Sequence, residues 1–297
     1  MKLITTTDNL ENRFGMKKAI DILCDAGYDA LDFSAFYPRL YTDELNDDFF
    51  TEMRNYAESK DLTFEQAHAP FPPNFRDDEK KTKQRFGEIV RAMKNASLLG
   101  VKKIVVHPYQ HIMHHEGNNA EILFEMNIDF YKRLIPFAEE YGIKIALENM
   151  WQTVGVHRYS IGNPVIYRSV CSEPKEFLRY LEELNNDVFC ACLDIGHTML
   201  VREKPENFIK TLGSRYLECL HVHDVDGIVD DHTLPFYGIT DWDSVLKALA
   251  EIGYNGNLTF EADNFMVNLP NELCASAARF MADTGKYLVS KFEEYRK

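Results

Sequence analysis

The chain has no apolar run approaching the ~20 residues that cross a bilayer as a helix. Its first ten residues, MKLITTTDNL, lack the long apolar stretch of a secretion signal. A protein working in the cytoplasm, away from membranes, is therefore expected. Positive charge is in short supply: 33 Lys and Arg stand against 47 Asp and Glu, a net charge of −14. That balance works against nonspecific attraction to nucleic acid or to an anionic membrane surface. None of the six cysteines belongs to a Cys-x-x-Cys pair. Cys190, Cys192 and Cys219 fall inside strand-like apolar stretches, so reduced cysteines packed in a core are expected. No Gly-rich loop follows the first apolar run, where Thr5-Thr6-Thr7-Asp8 stands instead. The usual mark of a doubly wound nucleotide-binding sheet is thus missing.

What the chain does have is a rhythm. Short strand-like runs occur at Lys2–Thr6, Ala30–Phe33, Leu62–Gln66, Lys103–Val106, Lys144–Leu147, Phe189–Leu193, Leu217–Leu220 and Leu258–Phe260. Helix-like stretches follow them. Trp242, Val245, Leu246, Leu249 and Ile252 keep helical spacing, with Thr240 and Asp243 placed as a capping box and Gly253 at the C-terminal end. Leu273, Ala277, Phe280, Met281, Thr284, Tyr287 and Leu288 form a second stripe, and the stretch from about Ala120 to Tyr141 a third. Strands alternating with helices pair in parallel. Eight such units predict an α/β fold, a single (β/α)8 TIM barrel with parallel strands, spanning 1–297 as one domain. Two connections, Met150 to Pro174 and His223 to Thr240, are too long for plain loops and are expected at the catalytic mouth.

Polar residues fall at the ends of these strands and are not expected inside them. His68 follows the third strand in HAPFPPN. His107 ends the fourth in VVHP, Glu148 the fifth in ALEN, and Asp194 and His197 the sixth in CLDIGH. His221 and His223 end the seventh in HVHD, and Glu261 the eighth in FEAD. Carboxylates and imidazoles delivered by separate rigid strands can surround one cation. Burying so many ionisable groups without a cation or mutual pairing would be costly. Each residue also has a plainer use: His68 or His107 as a structural histidine, Asp194 as a cap for the turn at Gly196. Trp151 is suited either to stacking on a substrate ring or to anchoring its loop. His111, His114 and His115 are expected in a solvated loop.

The ordered series HAP, HP, LEN, LDxxH, HxxD, DxH and E resembles the xylose isomerase-like barrel superfamily. That group holds the sugar phosphate isomerases and epimerases and the endonuclease IV family. Similarity to the ketose 3-epimerase branch implies one divalent metal on Glu148, Asp194, His221 and Glu261. His221 is favoured over His223 because Asp224 follows it by three residues. The same branch implies that Glu148 and Glu261 are also the acid–base pair and that His197 holds a substrate oxygen. Similarity to endonuclease IV implies a larger cluster on His68, His107, Glu148, Asp194, His197, His221, Asp230, His232 and Glu261. The chain departs from that pattern at His232-Thr233-Leu234-Pro235-Phe236-Tyr237-Gly238, which lacks the expected Glu, and it has no Arg/Lys-rich loop with interleaved aromatics.

The resemblance thus implies a metal-dependent isomerase or epimerase acting on a sugar or sugar phosphate through an enediolate. His68, His107, His197, His223, Asp230, His232 and Trp151 would line the substrate site. The ion would be Mn2+, Mg2+ or Co2+, with Zn2+ favoured if more imidazoles join. Alternatives are a metal-dependent dehydratase of a keto-sugar or polyol and an abasic-site phosphodiesterase. A homodimer is possible and no nucleic-acid partner is expected.

Overall fold

The computed structural model describes residues 1–153 and 165–297. Eight parallel strands form the barrel: β1 Leu3–Thr6, β2 Ala30–Ser34, β3 Phe64–His68, β4 Lys103–Val105, β5 Lys144–Glu148, β8 Phe189–Asp194, β9 Leu217–His221 and β10 Leu258–Phe260. Between β5 and β8 lies an antiparallel hairpin, β6 Trp151–Thr153 with β7 Ile166–Arg168. The strand order is β10-β1-β2-β3-β4-β5-β8-β9. Val222 closes the ring, donating its N–H to Thr259 O and accepting from Glu261 N. The strands are buried on both faces, as parallel strands under helices must be. β1, β2 and β8 have no exposed residue along their length.

The helices are α1 Asp8–Phe14, α2 Met16–Ala26, α3 Asp47–Glu58, α4 Glu79–Leu98, α5 Asn119–Tyr141, α6 Pro174–Leu184, α7 Ile195–Leu200, α8 Pro205–Tyr216, α9 Trp242–Glu251, α10 Asn264–Val267 and α11 Asn271–Tyr295. Eight of them, α2, α3, α4, α5, α6, α8, α9 and α11, pack each on the next, and α11 returns to α2. The eight strand–helix units expected from the sequence are therefore present and parallel. No helix among the described residues is long and apolar enough to cross a membrane.

Several local expectations change. β3 lies two residues later than predicted, so His68 is its last residue rather than a loop residue. The capping box at Thr240 and Asp243 does not form. Asp241 caps α9 instead, accepting from Ser244 N and Ser244 Oγ, while the Thr240 hydroxyl donates to Asp224 Oδ1 at 2.7 Å. Gly253 does follow α9 with positive φ. The stripe on α11 is split. Ala277, Met281 and Leu288 face the core, but Leu273, Phe280 and Tyr287 are about half exposed. The inner face uses Cys274, Ala278, Ala282 and Gly285 in their place, small residues that let α11 lie close on β1 and β10.

The barrel interior holds Val105, Ala146, Cys190, Cys192 and Cys219, all buried. All six cysteines are free thiols. The interior is not purely apolar, contrary to expectation. Asp32 is fully buried within β2, and Gln66 in β3 donates to Leu220 O and accepts from the Thr259 hydroxyl at 3.2 Å. Of the long connection Met150 to Pro174, the structure describes the hairpin strands, and residues 154–164 lie outside the described residues. The connection from His223 to Thr240 forms a bridge between Asp224 and Thr233 and lies over the mouth.

A Cβ at position 285 would lie 2.3 Å from Leu3 Cδ1 and 2.9 Å from Phe260. Gly285→Ala is therefore expected to force α11 off the barrel and to lower stability by roughly 1–3 kcal/mol. Urea unfolding measures it; an unchanged midpoint would mean that α11 shifts without loss.

Candidate active site

The residues singled out at the strand ends converge on the C-terminal mouth. Glu148 closes β5, Asp194 closes β8, His221 closes β9 and Glu261 follows β10. Each offers one ligand atom, and these atoms all lie within 4.8 Å of one another. His221 Nδ1 is the centre, 3.0 Å from Glu261 Oε2, 3.2 Å from Glu148 Oε1 and 3.9 Å from Asp194 Oδ2. All four residues are buried. Burial would raise the Glu148 carboxyl, yet the imidazoles of His221 and His107 hold it well below the usual carboxylate range. Glu261 is lowered too, against its burial, with His221 and His232 as the opposing causes.

The other predicted residues surround this group. His107 Nε2 lies 3.0 Å from Glu148 Oε2 and 3.0 Å from His68 Nε2. His68, Glu148 and His221 make a second group with ligand atoms within 4.8 Å. On the far side His197, His223, Asp230 and His232 make a third. Asp230 Oδ2 lies 3.1 Å from His232 Nε2 and 3.5 Å from His197 Nε2. Burial opposes the ionised form, but His232 and His197 hold the Asp230 carboxyl well below its ordinary value. Burial also opposes the charging of His197, which Asp194 and Asp230 nonetheless push up to about 10. His223 meets the four-residue group at Asp194. Its Nε2 contacts both oxygens of Asp194 at 3.0 Å, and its ring stacks on His232 at 4.0 Å.

A cavity of about 610 Å3 opens above these groups. Its polar floor includes His68, His107, Glu148, His197, His232 and Glu261. Its wall is built by Phe71, Ile112, Met113, Met150 and Trp151. A polar floor under a partly apolar wall suits a small molecule that carries both hydroxyl groups and C–H faces.

A model of the xylose isomerase-like TIM barrel matches residues 20–284. The chain belongs to that family. It is 27% identical over 228 residues to an uncharacterised protein of Methanocaldococcus jannaschii, covering 75% of this chain and 71% of that one. It is 25% identical over 190 residues to the inosose isomerase of Bacillus subtilis, covering 62% of each. Among solved structures it is similar to the IolI protein with a bound zinc atom, at a TM-score of 0.74 and 22% identity over 99% of both chains. It is also similar to a D-tagatose 3-epimerase-like protein, at a TM-score of 0.72 and 21% identity over 100% of this chain and 98% of that one. At these identities the structural likeness establishes the shared fold.

Within this xylose isomerase-like barrel, both plainer uses considered for Asp194 and Trp151 are realised. Asp194 Oδ1 caps α7 by accepting from His197 N at 2.7 Å. Trp151 lines the cavity and donates its indole N–H to Asp230 Oδ2 at 3.3 Å. The loop after β4 is solvated as expected at the exposed His115 but only partly so at His111 and His114. His111 lines the cavity beside Asn74, His114 meets Glu176 at 2.7 Å, and His115 stacks on Tyr167 at 4.3 Å. Gln152 ties that loop to the hairpin by donating to Gln110 O and Ile112 O.

Three contributors were not singled out from sequence. Phe71 is 47% exposed and lies against the His107 ring at 4.9 Å. Its only signal is its place in HAPFPPN, three residues after His68. Asp32 sits below the mouth, where burial pushes its carboxyl up to about 6. Asp224, three residues after His221, carries no role in the sequence pattern beyond that spacing. It is fully buried and accepts hydrogen bonds from Val225 N, Phe236 N, Thr240 N, Thr240 Oγ1 and Trp242 Nε1. That one carboxylate fixes the loop that carries Asp230 and His232.

Asp224→Ala leaves those five donors without their acceptor, and each of the two fully buried ones, Val225 N and Trp242 Nε1, costs about 1–3 kcal/mol. It is expected to lower stability by at least ~3 kcal/mol and to open the 225–240 loop to limited proteolysis, while Asp224→Asn restores part of both. Wild-type protection in the alanine variant would show that water replaces the carboxylate at little cost.

Proposed function

We propose that the protein is a divalent-metal-dependent isomerase or epimerase of a sugar or sugar derivative. The observation that carries this reading is the buried four-residue group of Glu148, Asp194, His221 and Glu261, of which Glu148 and Glu261 line the cavity. Three carboxylates crowded around one imidazole are a donor set for a cation, whose charge would offset their repulsion. Oxygen-rich ligation with one nitrogen suits Mn2+, Mg2+ or Co2+, and Zn2+ becomes better suited as more imidazoles join. When bound, the ion supplies Lewis acidity to a carbonyl and the neighbouring hydroxyl of the substrate. The inosose isomerase and 3-epimerase names among the similar proteins support the substrate class.

Glu148 and Glu261 come from strands three apart in the ring, so they can flank a substrate. One carboxylate takes the proton from the C–H beside the carbonyl, and the other returns a proton to the resulting enediolate. Return to the opposite face of the same carbon is epimerisation. Return to the neighbouring carbon interconverts aldose and ketose. His197, His223, Asp230 and His232 would hold hydroxyls on one side, and His68 and His107 on the other. Trp151 would cover a C–H face.

A second reading has its own observation. The two further groups, His68/Glu148/His221 and His197/His223/Asp230/His232, could each hold an ion. Three ions would favour phosphodiester cleavage over enolisation, and metal analysis of the purified protein distinguishes the two.

Glu148→Gln and Glu261→Gln are each expected to lower turnover by at least ~10²-fold, the contribution of a positioned acid or base. The assay runs at saturating metal with occupancy measured, because both residues are also proposed ligands. In heavy water the wild type should place deuterium on the carbon beside the carbonyl, and both variants should lose that exchange. Cleavage of abasic-site DNA, with no exchange into any ketose, aldose or inosose, would overturn the sugar reading.

A further inference from the structure

The cavity is not uniform in charge. Glu148, Asp230 and Glu261 are among its lining residues. Each of those carboxylates is matched by imidazoles: Glu148 by His107 and His221, Asp230 by His197 and His232, and Glu261 by His221. The rim built by the loops after β3 and β4 is the reverse. Arg76, Gln110 and His111 line it, and among the described lining residues Arg76 is the one lysine or arginine.

What these three side chains offer the cavity follows from what holds their other atoms. Asn74 is buried, and its Nδ2 lies 2.6 Å from His111 Nδ1. An amide nitrogen only donates, so Nδ1 accepts and the ring proton sits on Nε2. Burial and the nearby Arg76 charge push the His111 pKa below its ordinary value, which keeps the ring neutral with one N–H to give. Gln110 Oε1 accepts from the Ser169 hydroxyl at 3.2 Å, which leaves the amide N–H groups as the free part of that side chain. Arg76 forms an ion pair with its neighbour Asp77 at 3.6 Å, between side chains that are 72% and 90% exposed. A pair so open to water holds the guanidinium weakly. The rim is thus an arc of side-chain donors, in a chain whose net charge is −14.

We propose that Arg76, His111 and Gln110 form a subsite for an anionic oxygen group, a carboxylate or a phosphate, carried by the ligand at an end other than the one that meets the four-residue group. A guanidinium matches either anion with two parallel N–H bonds. The His111 Nε2–H and the Gln110 amide add neutral donors that cost no further charge. An anion approaching so acidic a chain needs a local attraction, and one guanidinium at the rim supplies it. The cavity of about 610 Å3 has room for a sugar that bears such a substituent. The sugar part of this ligand rests on the isomerase reading, whereas the subsite rests on the donors alone.

The His111 ring reports on the subsite in nitrogen-15 NMR of the whole protein, with His111→Gln identifying its signal. Inorganic phosphate or acetate, added at constant ionic strength, should move the Nε2 resonance and saturate in the millimolar range. The tighter of the two tells phosphate from carboxylate. Arg76→Gln should weaken the binding roughly 10–100-fold, the loss of a charged hydrogen-bonding partner, and Arg76→Lys should restore part of it. Both variants change an exposed side chain, so the fold should be kept. A His111 signal that neither anion moves up to ~100 mM, well beyond a weak site's dissociation constant of about 1 mM, would overturn the proposal. So would saturation that Arg76→Gln leaves unchanged. Deuterium exchange into a sugar tests the isomerase reading separately. Exchange without anion binding removes the subsite alone, and anion binding without exchange removes that reading while the subsite stands.

Discussion

Three buried carboxylates, those of Glu148, Asp194 and Glu261, meet around one imidazole at the base of the cavity, and the rest of the mouth is arranged around that charge. An ion brought into such a place costs several kcal/mol unless it is paired. The pairing comes from imidazoles: His221 at the centre, His107 beside Glu148, and His223 beside Asp194. Acid remains in excess even so. Burial and the nearby Asp263 raise the Asp8 carboxyl well above its ordinary value. The opposite end of the barrel shows the contrast. There Lys144 meets Glu218 at 2.6 Å and Lys2 meets Glu65 at 2.6 Å, lysine against carboxylate. Charge is neutralised at one end and concentrated at the other, the division of labour between the stable and the reactive faces of a barrel.

This division explains why so much of the fold was legible. A parallel strand buried on both faces reads as an unbroken apolar run, and its C-terminal residue is the first that reaches the mouth. Runs such as KIALE and FCACLD therefore announce a strand and its functional end together. The sequence places β3 two residues early because Leu62 opens an apolar run and His68 reads as a rim residue beyond the strand. Gln66 stays in the strand because a Thr259 hydroxyl and a backbone carbonyl satisfy its amide inside the barrel. The hairpin β6–β7 had no local signal strong enough to mark it. Gln152 within it is held by contacts with the loop after β4, some 40 residues distant in sequence.

The site divides along the same line. Groups at strand ends could be read from sequence because the strand fixes where they go. Groups on loops could not, because a loop's course depends on what pins it. Asp224 is the plainest case. In HVHD it reads as one more acid at the rim, yet it turns inward and collects five hydrogen bonds from a loop that runs to Trp242. Asp230 and His232 reach the mouth on the loop that this anchor holds, with His232 also fixed by Glu261 O. Phe71 was missed for a related reason: an exposed phenylalanine among prolines looks like surface until His68 and His107 are seen beneath it.

The segment Asp194-Ile195-Gly196-His197 shows how closely sequence and chemistry can be bound. Asp194 has two roles at once, capping α7 through His197 N and facing His221 with its other oxygen. Gly196 leaves the room that this requires. A Cβ there would fall 2.1 Å from the His223 ring, so any larger residue would displace the imidazole that touches both oxygens of Asp194. His197 then enters from the first turn of the helix, with Nδ1 on Asn149 O and Nε2 toward Asp230. His223 accordingly touches both oxygens of Asp194, while His221 meets the same carboxylate as a member of the four-residue group. The number of histidines at the mouth is therefore larger than the number facing any one ion position, and the chemistry follows from which nitrogen each presents to the carboxylates.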